Sequence, residues 1–147
     1  MIGLGSTLLA NTIKKFGQDS YKVASATEVG IKFFSGTWAE ALAAATKENK
    51  VIFLDAYAAW CGPCKLMTAN TFTDEKVGTY FNKNFINYKM DMEKHADGPR
   101  LSGKYALTAY PTLYFINGQE NVVHKTLGYH EPAQLISVGE TVVALKK

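Results

Sequence analysis

Hydrophobic and polar positions alternate with the periods of strands and helices from residue 30 onward. The run "VIFLDAYA" (51–58) is apolar almost throughout, which is typical of a central strand buried on both faces. Between this run and the other strand-like runs lie segments whose apolar residues recur at the spacing of a helix. The predicted strands are 31–34, 51–58, 84–92, 111–116 and 121–128, and helices are expected at about 38–48, 61–70, 73–81, 101–105 and from 132 onward. This order predicts an α/β fold, with a central mixed sheet flanked by helices on both faces.

Local signals mark where several of these elements begin. In "TWAE", Thr37 is expected to cap a helix, and Glu40 is expected to reach back to it. Thr73 is the expected cap of a later helix, and Pro132 suits the first turn of the last one. Asn117-Gly118 predicts a hairpin between the last two strands.

Residues 1–29 differ from the remainder of the chain. Leu9, Ile13 and Phe16 have the spacing of a short amphipathic helix, and a polar stretch follows them. We therefore expect an N-terminal arm or linker over 1–29, part of it helical, and one domain over 30–147. The first residues lack the basic leader of a secretory signal.

Composition argues against several classes of partner. The 147 residues are 47% hydrophobic and 20% charged, as in an ordinary globular protein, and the formal charge is +3. Since no basic run concentrates that charge, we expect no nucleic-acid partner. No apolar run approaches the roughly 18 residues of a membrane span, so we expect no membrane insertion.

The two cysteines of "WCGPCK" admit three interpretations: a metal site, a structural disulfide or a redox centre. A structural zinc needs four ligands, and the three histidines show no paired ligand spacing, so we expect no metal. A disulfide between Cys61 and Cys64 would close a loop too short to stabilise the fold appreciably. A redox centre fits better, because a helix start favours a thiolate at Cys61 and Cys64 is placed to resolve a mixed disulfide.

The motif "WCGPCK" closely resembles the active site of thioredoxins, and the resemblance extends over about residues 31–146. The segments "FLDAYAAWCGPCK", "NTFTDEKV", "KMDMEK" and "AYPTLYFINGQ" are similar to bacterial thioredoxin-related proteins. Those proteins include the C-terminal domain of transmembrane thiol:disulfide interchange proteins. The resemblance implies a thioredoxin-like fold. It slightly favours the bacterial periplasm or another extracytoplasmic site over the cytoplasm.

The resemblance also implies roles around the cysteines. Cys61 corresponds to an exposed nucleophile and Cys64 to a buried resolving thiol. Asp55 corresponds to a buried aspartate that accepts the proton of Cys64, although an ordinary hydrogen-bonded aspartate at a strand end is the alternative. Lys89 corresponds to the lysine that partners this aspartate, with an edge lysine reaching solvent as the alternative.

A docking surface is implied as well. Pro111 corresponds to a cis-proline that leaves the backbone of Tyr110 free to pair with an extended substrate. Gly62 and Pro63, between the cysteines, are expected to tune the redox balance. The implied substrate-binding residues are Trp60, Gly62, Pro63, Tyr110, Pro111 and Gly128, with Tyr129 either joining them or covering the core.

These implications predict a protein-disulfide reductase that acts through Cys61 and Cys64. The alternatives are a dedicated electron relay or isomerase domain, and a non-catalytic binding module. No cofactor is expected beyond the redox-active disulfide. The expected partners are protein disulfide substrates and an upstream reductase, and the expected state is a monomer.

Overall fold

The computed structural model describes residues 28–146, and its strands form one mixed sheet of four. The elements are α1 (Trp38–Glu48), β1 (Val51–Tyr57), α2 (Gly62–Leu66) with a following π-helical turn (Met67–Thr71), α3 (Glu75–Asn84), β2 (Phe85–Asp91), α4 (Gly98–Lys104), β3 (Thr112–Ile116), β4 (Val122–Leu127) and α5 (Pro132–Leu145). The strand order is β2-β1-β3-β4, with β1 parallel to β2 and β3 antiparallel to both its neighbours. The predicted α/β fold is confirmed. The expected helix around Leu9–Phe16 lies outside the described residues.

Alternate side chains of β1 face two separate hydrophobic cores. Ile52 and Leu54 pack with apolar residues of α1 and α4 on one side of the sheet. Phe53 packs on the other side with residues of α3, α5 and the π-helical turn, and its ring lies 4.9 Å from that of Phe81. Helices therefore cover both faces, as the continuous apolar run of β1 predicts.

Of the two predicted helix caps at Thr37 and Thr73, the first forms and the second does not. Thr37 caps α1 as expected, because its hydroxyl oxygen accepts the Glu40 N–H at 3.1 Å. The prediction that Thr73 caps α3 is wrong. Its hydroxyl donates to Ala69 O at 2.7 Å, at the end of the preceding helical segment, and Asp74 instead accepts the Val77 N–H at 3.0 Å. Asp74 has the extended backbone that an N-cap needs, so it begins the helix.

The predicted strand at 31–34 does not form. Phe34 N–H donates to Asn87 O at 2.6 Å, which gives one backbone bond to β2. Ile31 N–H donates instead to Phe72 O at 2.8 Å, and Lys32 N–H to the Asn82 side chain at 2.9 Å. Because neighbouring donors are directed to acceptors outside β2, no ladder develops, although the segment still covers the sheet edge.

The end of the chain follows its sequence signals. β3 and β4 form the predicted antiparallel hairpin, and Asn117 N–H donates to Asn121 O at 2.9 Å across the loop. Pro132 lies in the first turn of α5 as expected. Among the described residues, no helix combines the length and apolar character needed to cross a membrane.

Candidate active site

The two cysteines form a disulfide where the first strand leads into the second helix. Four residues separate the end of β1 at Tyr57 from α2, and Cys61 is the N-cap of that helix. Its sulfur accepts the Cys64 N–H at 3.2 Å, and the two Cα atoms lie 5.3 Å apart. The predicted placement of the pair at a helix start is therefore confirmed. A backbone N–H aimed at Cys61 Sγ is the kind of contact that stabilises a thiolate.

Both cysteines are buried in this oxidised state. Cys61 is 3% exposed and Cys64 is 4% exposed. The implied picture of an exposed Cys61 is thus wrong for the disulfide form, because Tyr57 and Tyr110 pack against the cluster of Ala58 and the two cysteines. Access to the sulfur of Cys61 therefore depends on how these two aromatic side chains are arranged.

The antiparallel strand β3 brings a proline to the same end of the sheet. β3 begins opposite the end of β1, where Ala56 pairs with Thr112. The Tyr110–Pro111 peptide bond just before it is cis, as the resemblance implies. Gly128 N–H donates to Pro111 O at 2.8 Å, so the segment after β4 is joined to the same place.

An exposed tryptophan borders the disulfide. Trp60 is 68% exposed, and its ring stands nearly perpendicular to that of Tyr110, with centroids 5.7 Å apart. Its indole N–H donates to Glu93 Oε1 at 3.0 Å. Glu93 was not foreseen, although β1 and β2 are parallel and their carboxyl ends must meet at one edge of the sheet. Among the other expected docking residues, Gly62 and Pro63 are exposed and Tyr129 is 37% exposed.

A carboxyl group is buried on β1, the strand that precedes the disulfide. Asp55 is 1% exposed on β1, and its Oδ1 has no hydrogen-bond partner among the described residues. Burial raises the pKa of Asp55 from 3.8 to about 7, and the positive charge of Lys89 opposes that rise. Such a group can take up or release a proton near neutral pH.

Lys89 is the cross-strand neighbour of Asp55 but does not form a salt bridge with it. Its ammonium donates to Thr68 Oγ1 at 3.0 Å and lies 5.2 Å from the centre of the Tyr57 ring. Among residues 28–146, no carboxylate oxygen lies within 4.0 Å of that ammonium. The implied partnership is therefore an interaction at longer range. Lys89 also lines a cleft of about 260 Å³ that reaches Cys64.

The π-helical turn after α2 is bonded to the loop before α5. Thr71 donates its hydroxyl to His130 O at 2.6 Å, and His130 N–H donates to Met67 Sδ at 3.1 Å. The loop that carries Gly128 is thus fixed to the helical segment that carries the cysteines. Within the described part of the chain, no group of three or more His, Cys, Asp or Glu residues is arranged to hold a metal ion.

The fold and the paired cysteines define a thioredoxin-like oxidoreductase. More narrowly, residues 18–113 match the Thioredox DsbH family, described as "Protein of unknown function, DUF255", and the chain belongs to that family.

Known relatives agree with this assignment. A thioredoxin-like protein of Synechocystis sp. is 32% identical over 108 residues, 74% of this chain and 93% of its own length. A candidate disulphide-isomerase from Bacteroides thetaiotaomicron is 42% identical, with a TM-score of 0.68 over 80% of this chain and 96% of its own. The oxidised C-terminal domain of Neisseria meningitidis DsbD is 25% identical, with a TM-score of 0.60 over 75% of this chain and 98% of its own.

Proposed function

We propose that this protein reduces disulfides in other proteins by dithiol–disulfide exchange. The observation that carries the proposal is the Cys61–Cys64 disulfide at a helix start, with the carboxyl of Asp55 buried on the preceding strand. The two sulfurs carry two electrons, so the reaction needs no further cofactor.

The cycle starts from the dithiol. The Cys61 thiolate attacks one sulfur of the substrate disulfide, the substrate S–S bond breaks, and the other substrate sulfur leaves as a thiolate. Cys64 then loses its proton to ionised Asp55 and attacks the Cys61 sulfur in the mixed disulfide. The second substrate thiolate leaves, the substrate is reduced by two electrons, and the Cys61–Cys64 bond is restored.

The docking surface around the disulfide supports a polypeptide substrate. Pairing between β1 and β3 ends at Ala56–Thr112, so Tyr110 lies beyond the ladder. The described backbone hydrogen bonds include none from the N–H or to the C=O of Tyr110. An extended substrate segment can therefore add to this point as a short strand, with Trp60 as an exposed apolar contact beside it.

The partners follow from the cycle. The substrate is a protein disulfide, and an upstream reductase must return the oxidised pair to the dithiol. We infer a monomeric protein with no nucleic-acid partner.

Insulin reduction together with the reduction potential of the cysteine pair tests the proposal. A reductase should have a potential near that of thioredoxin, about −270 mV, and should precipitate insulin in the presence of a reductant. Cys61→Ser should abolish turnover, and Cys64→Ala should accumulate mixed disulfides with substrate proteins. A potential near that of DsbA, about −120 mV, would overturn the reductase assignment.

An isomerase or a dedicated relay is the second candidate. The 42% identity to the candidate disulphide-isomerase favours an isomerase, and the likeness to the DsbD domain favours a relay. An isomerase should reactivate scrambled ribonuclease faster than it reduces insulin, whereas a relay should reduce insulin poorly and exchange rapidly with one partner. A purely non-catalytic binding module would retain its function in Cys61→Ser.

A further inference from the structure

Charged side chains are distributed unevenly around the disulfide. Lys65 and Lys89 line the cleft on the Cys64 side. On the side of Trp60, the carboxylate of Glu93 accepts the indole N–H at 3.0 Å. A partner that covers Trp60 therefore meets negative charge, and one that extends along the cleft meets positive charge.

Glu93 is an exposed carboxylate held in a fixed position. Its Oε1 accepts the Trp60 indole N–H, and among residues 28–146 no Lys, Arg or His nitrogen lies within 4.0 Å of either carboxylate oxygen. The neighbouring carboxylate of Asp91 is partly buried, and its Oδ1 accepts two backbone N–H groups at 3.0 and 3.2 Å. Glu93 is therefore the carboxylate that remains available to a partner.

The negative potential reaches the docking surface. Burial raises the pKa of the Tyr110 hydroxyl, and the charges of Glu93 and Asp91 add to that rise. Trp60 exposes 68% of its surface, and its ring stands edge-on to Tyr110 while its N–H is bound to Glu93. An exposed indole face beside a fixed carboxylate is an acceptor for a cation, because the π face and the carboxylate both attract positive charge.

We propose that Trp60, Tyr110 and Glu93 bind a cationic side chain of the substrate, so that disulfides flanked by Arg or Lys are preferred. Arginine fits best, because a planar guanidinium can stack on the indole while it donates to the carboxylate. The ring of Trp60 lies 5.7 Å from that of Tyr110. A substrate strand at Tyr110 advances about 3.3 Å per residue, so this distance corresponds to fewer than two residues. The cation therefore belongs within about two residues of the attacked cysteine. The inference rests on the proposed reductase function and adds a substrate class to it.

Matched peptide disulfides test this preference. Three peptides that differ in one residue beside the cysteine, Arg, Gln or Glu, are reacted with the pre-reduced protein, and second-order rate constants are measured at low salt. The Arg peptide should react about threefold faster than the Gln peptide, the size expected of one exposed ion pair with a weak cation–π contact, and the Glu peptide should react slowest. Raising the salt to about 0.5 M should shrink the Arg preference.

Two variants at Glu93 and one elsewhere isolate the charge. Glu93→Gln keeps an oxygen that can accept the indole N–H but removes the charge, so the Arg-to-Gln rate ratio should fall from about three to the smaller preference that the indole face alone provides. Glu93→Lys should reverse the order and favour the Glu peptide. Glu140→Gln alters the net charge as much as Glu93→Gln does, but on α5 beside Tyr80, and should keep the wild-type ratio.

The outcomes separate this inference from the proposed function. If the wild-type protein reduces all three peptides at one rate, or if Glu93→Gln keeps the full wild-type Arg preference, the cation site is overturned while the reductase stands. If the wild-type protein reduces none of the peptides, the proposed function itself fails.

Discussion

Asp55 and Lys89 are directly opposite one another in the β1–β2 register, yet the ammonium of Lys89 bonds to Thr68 and lies over the Tyr57 ring. A close ion pair would hold the pKa of the buried carboxyl low. Because Lys89 acts from a distance, burial dominates and the pKa of Asp55 reaches about 7. The arrangement keeps the carboxyl able to exchange a proton under the conditions in which thiols react.

Replacing Asp55 by Asn should change how stability depends on pH. The pKa of Asp55 is about 7 in the fold against 3.8 ordinarily, so the folded state retains a proton that the unfolded chain loses between those values. The free energy of unfolding of the wild type should therefore fall from about pH 4 to pH 7, by at most about 4 kcal/mol. Asp55→Asn should lack this fall and be the more stable protein at pH 8.

Urea unfolding of the oxidised protein at pH 4, 6 and 8 measures this difference. Parallel pH profiles for the wild type and Asp55→Asn would show that the carboxyl is not perturbed. The same variant should slow the release of substrate from the mixed disulfide, which is the step that needs a proton acceptor for Cys64.

Removing the charge of Lys89 should raise the pKa of Asp55 further, since the ammonium is the group that lowers it. A ¹³C NMR titration of the Asp55 carboxyl in Lys89→Met measures the change. Lys65→Met is the matched control, because it removes an equal charge from the same cleft. An equal rise in both variants would assign the effect to net charge rather than to Lys89.

The cap of α3 gives a test in which two adjacent residues should differ. Asp74→Ala removes the acceptor of the Val77 N–H and should cost about 1 kcal/mol in the free energy of unfolding. Thr73→Ala removes a hydroxyl that donates to Ala69 O, and should cost less than about 0.5 kcal/mol. Chemical denaturation measures the free energy of unfolding of both variants. A larger decrease for Thr73→Ala than for Asp74→Ala would show that Thr73 is the cap.

Two glycines of α4 should respond to alanine with opposite signs. A Cβ on Gly98 would lie 2.7 Å from the carbonyl carbon of Met92, so Gly98→Ala should destabilise the fold by about 1–3 kcal/mol. Gly103 has open space around the same position, and Gly103→Ala should add about 0.5 kcal/mol through helix propensity. Thermal unfolding of both variants reads out the difference, and a neutral Gly98→Ala would refute the close approach.

Sequence predicted the parts of the fold that local pattern decides. The apolar runs around Phe53 and Tyr88 are long enough to specify core strands, and the antiparallel hairpin around Asn117 carries its own turn chemistry. The segment 31–34 has the composition of a strand. It fails to become one because its donors find acceptors outside β2, which is a matter of tertiary packing. Thr73 and Asp74 are both good caps in isolation, so local chemistry could not rank them.

The candidate site shows the same division. The positions of Cys61 and Cys64 at a strand end and helix start followed from adjacent residues, and the resemblance supplied the cis peptide at Pro111. Glu93 was missed because an exposed carboxylate after a strand carries no periodic signal, and its contact with Trp60 exists only once β1 and β2 are parallel. The burial of Cys61 likewise depends on aromatic side chains brought together by the sheet.

The hydrogen bonds from Thr71 and His130 that join the π-helical turn to the loop before α5 decide where this protein can be labelled or fused. A dye or peptide inserted near His130 would disturb these hydrogen bonds and, through them, the helical segment that carries the cysteines. The Asn117–Asn121 loop lies at the far end of β3 from Pro111. Foreign sequence is better placed there, where the redox pair can be followed without being disturbed.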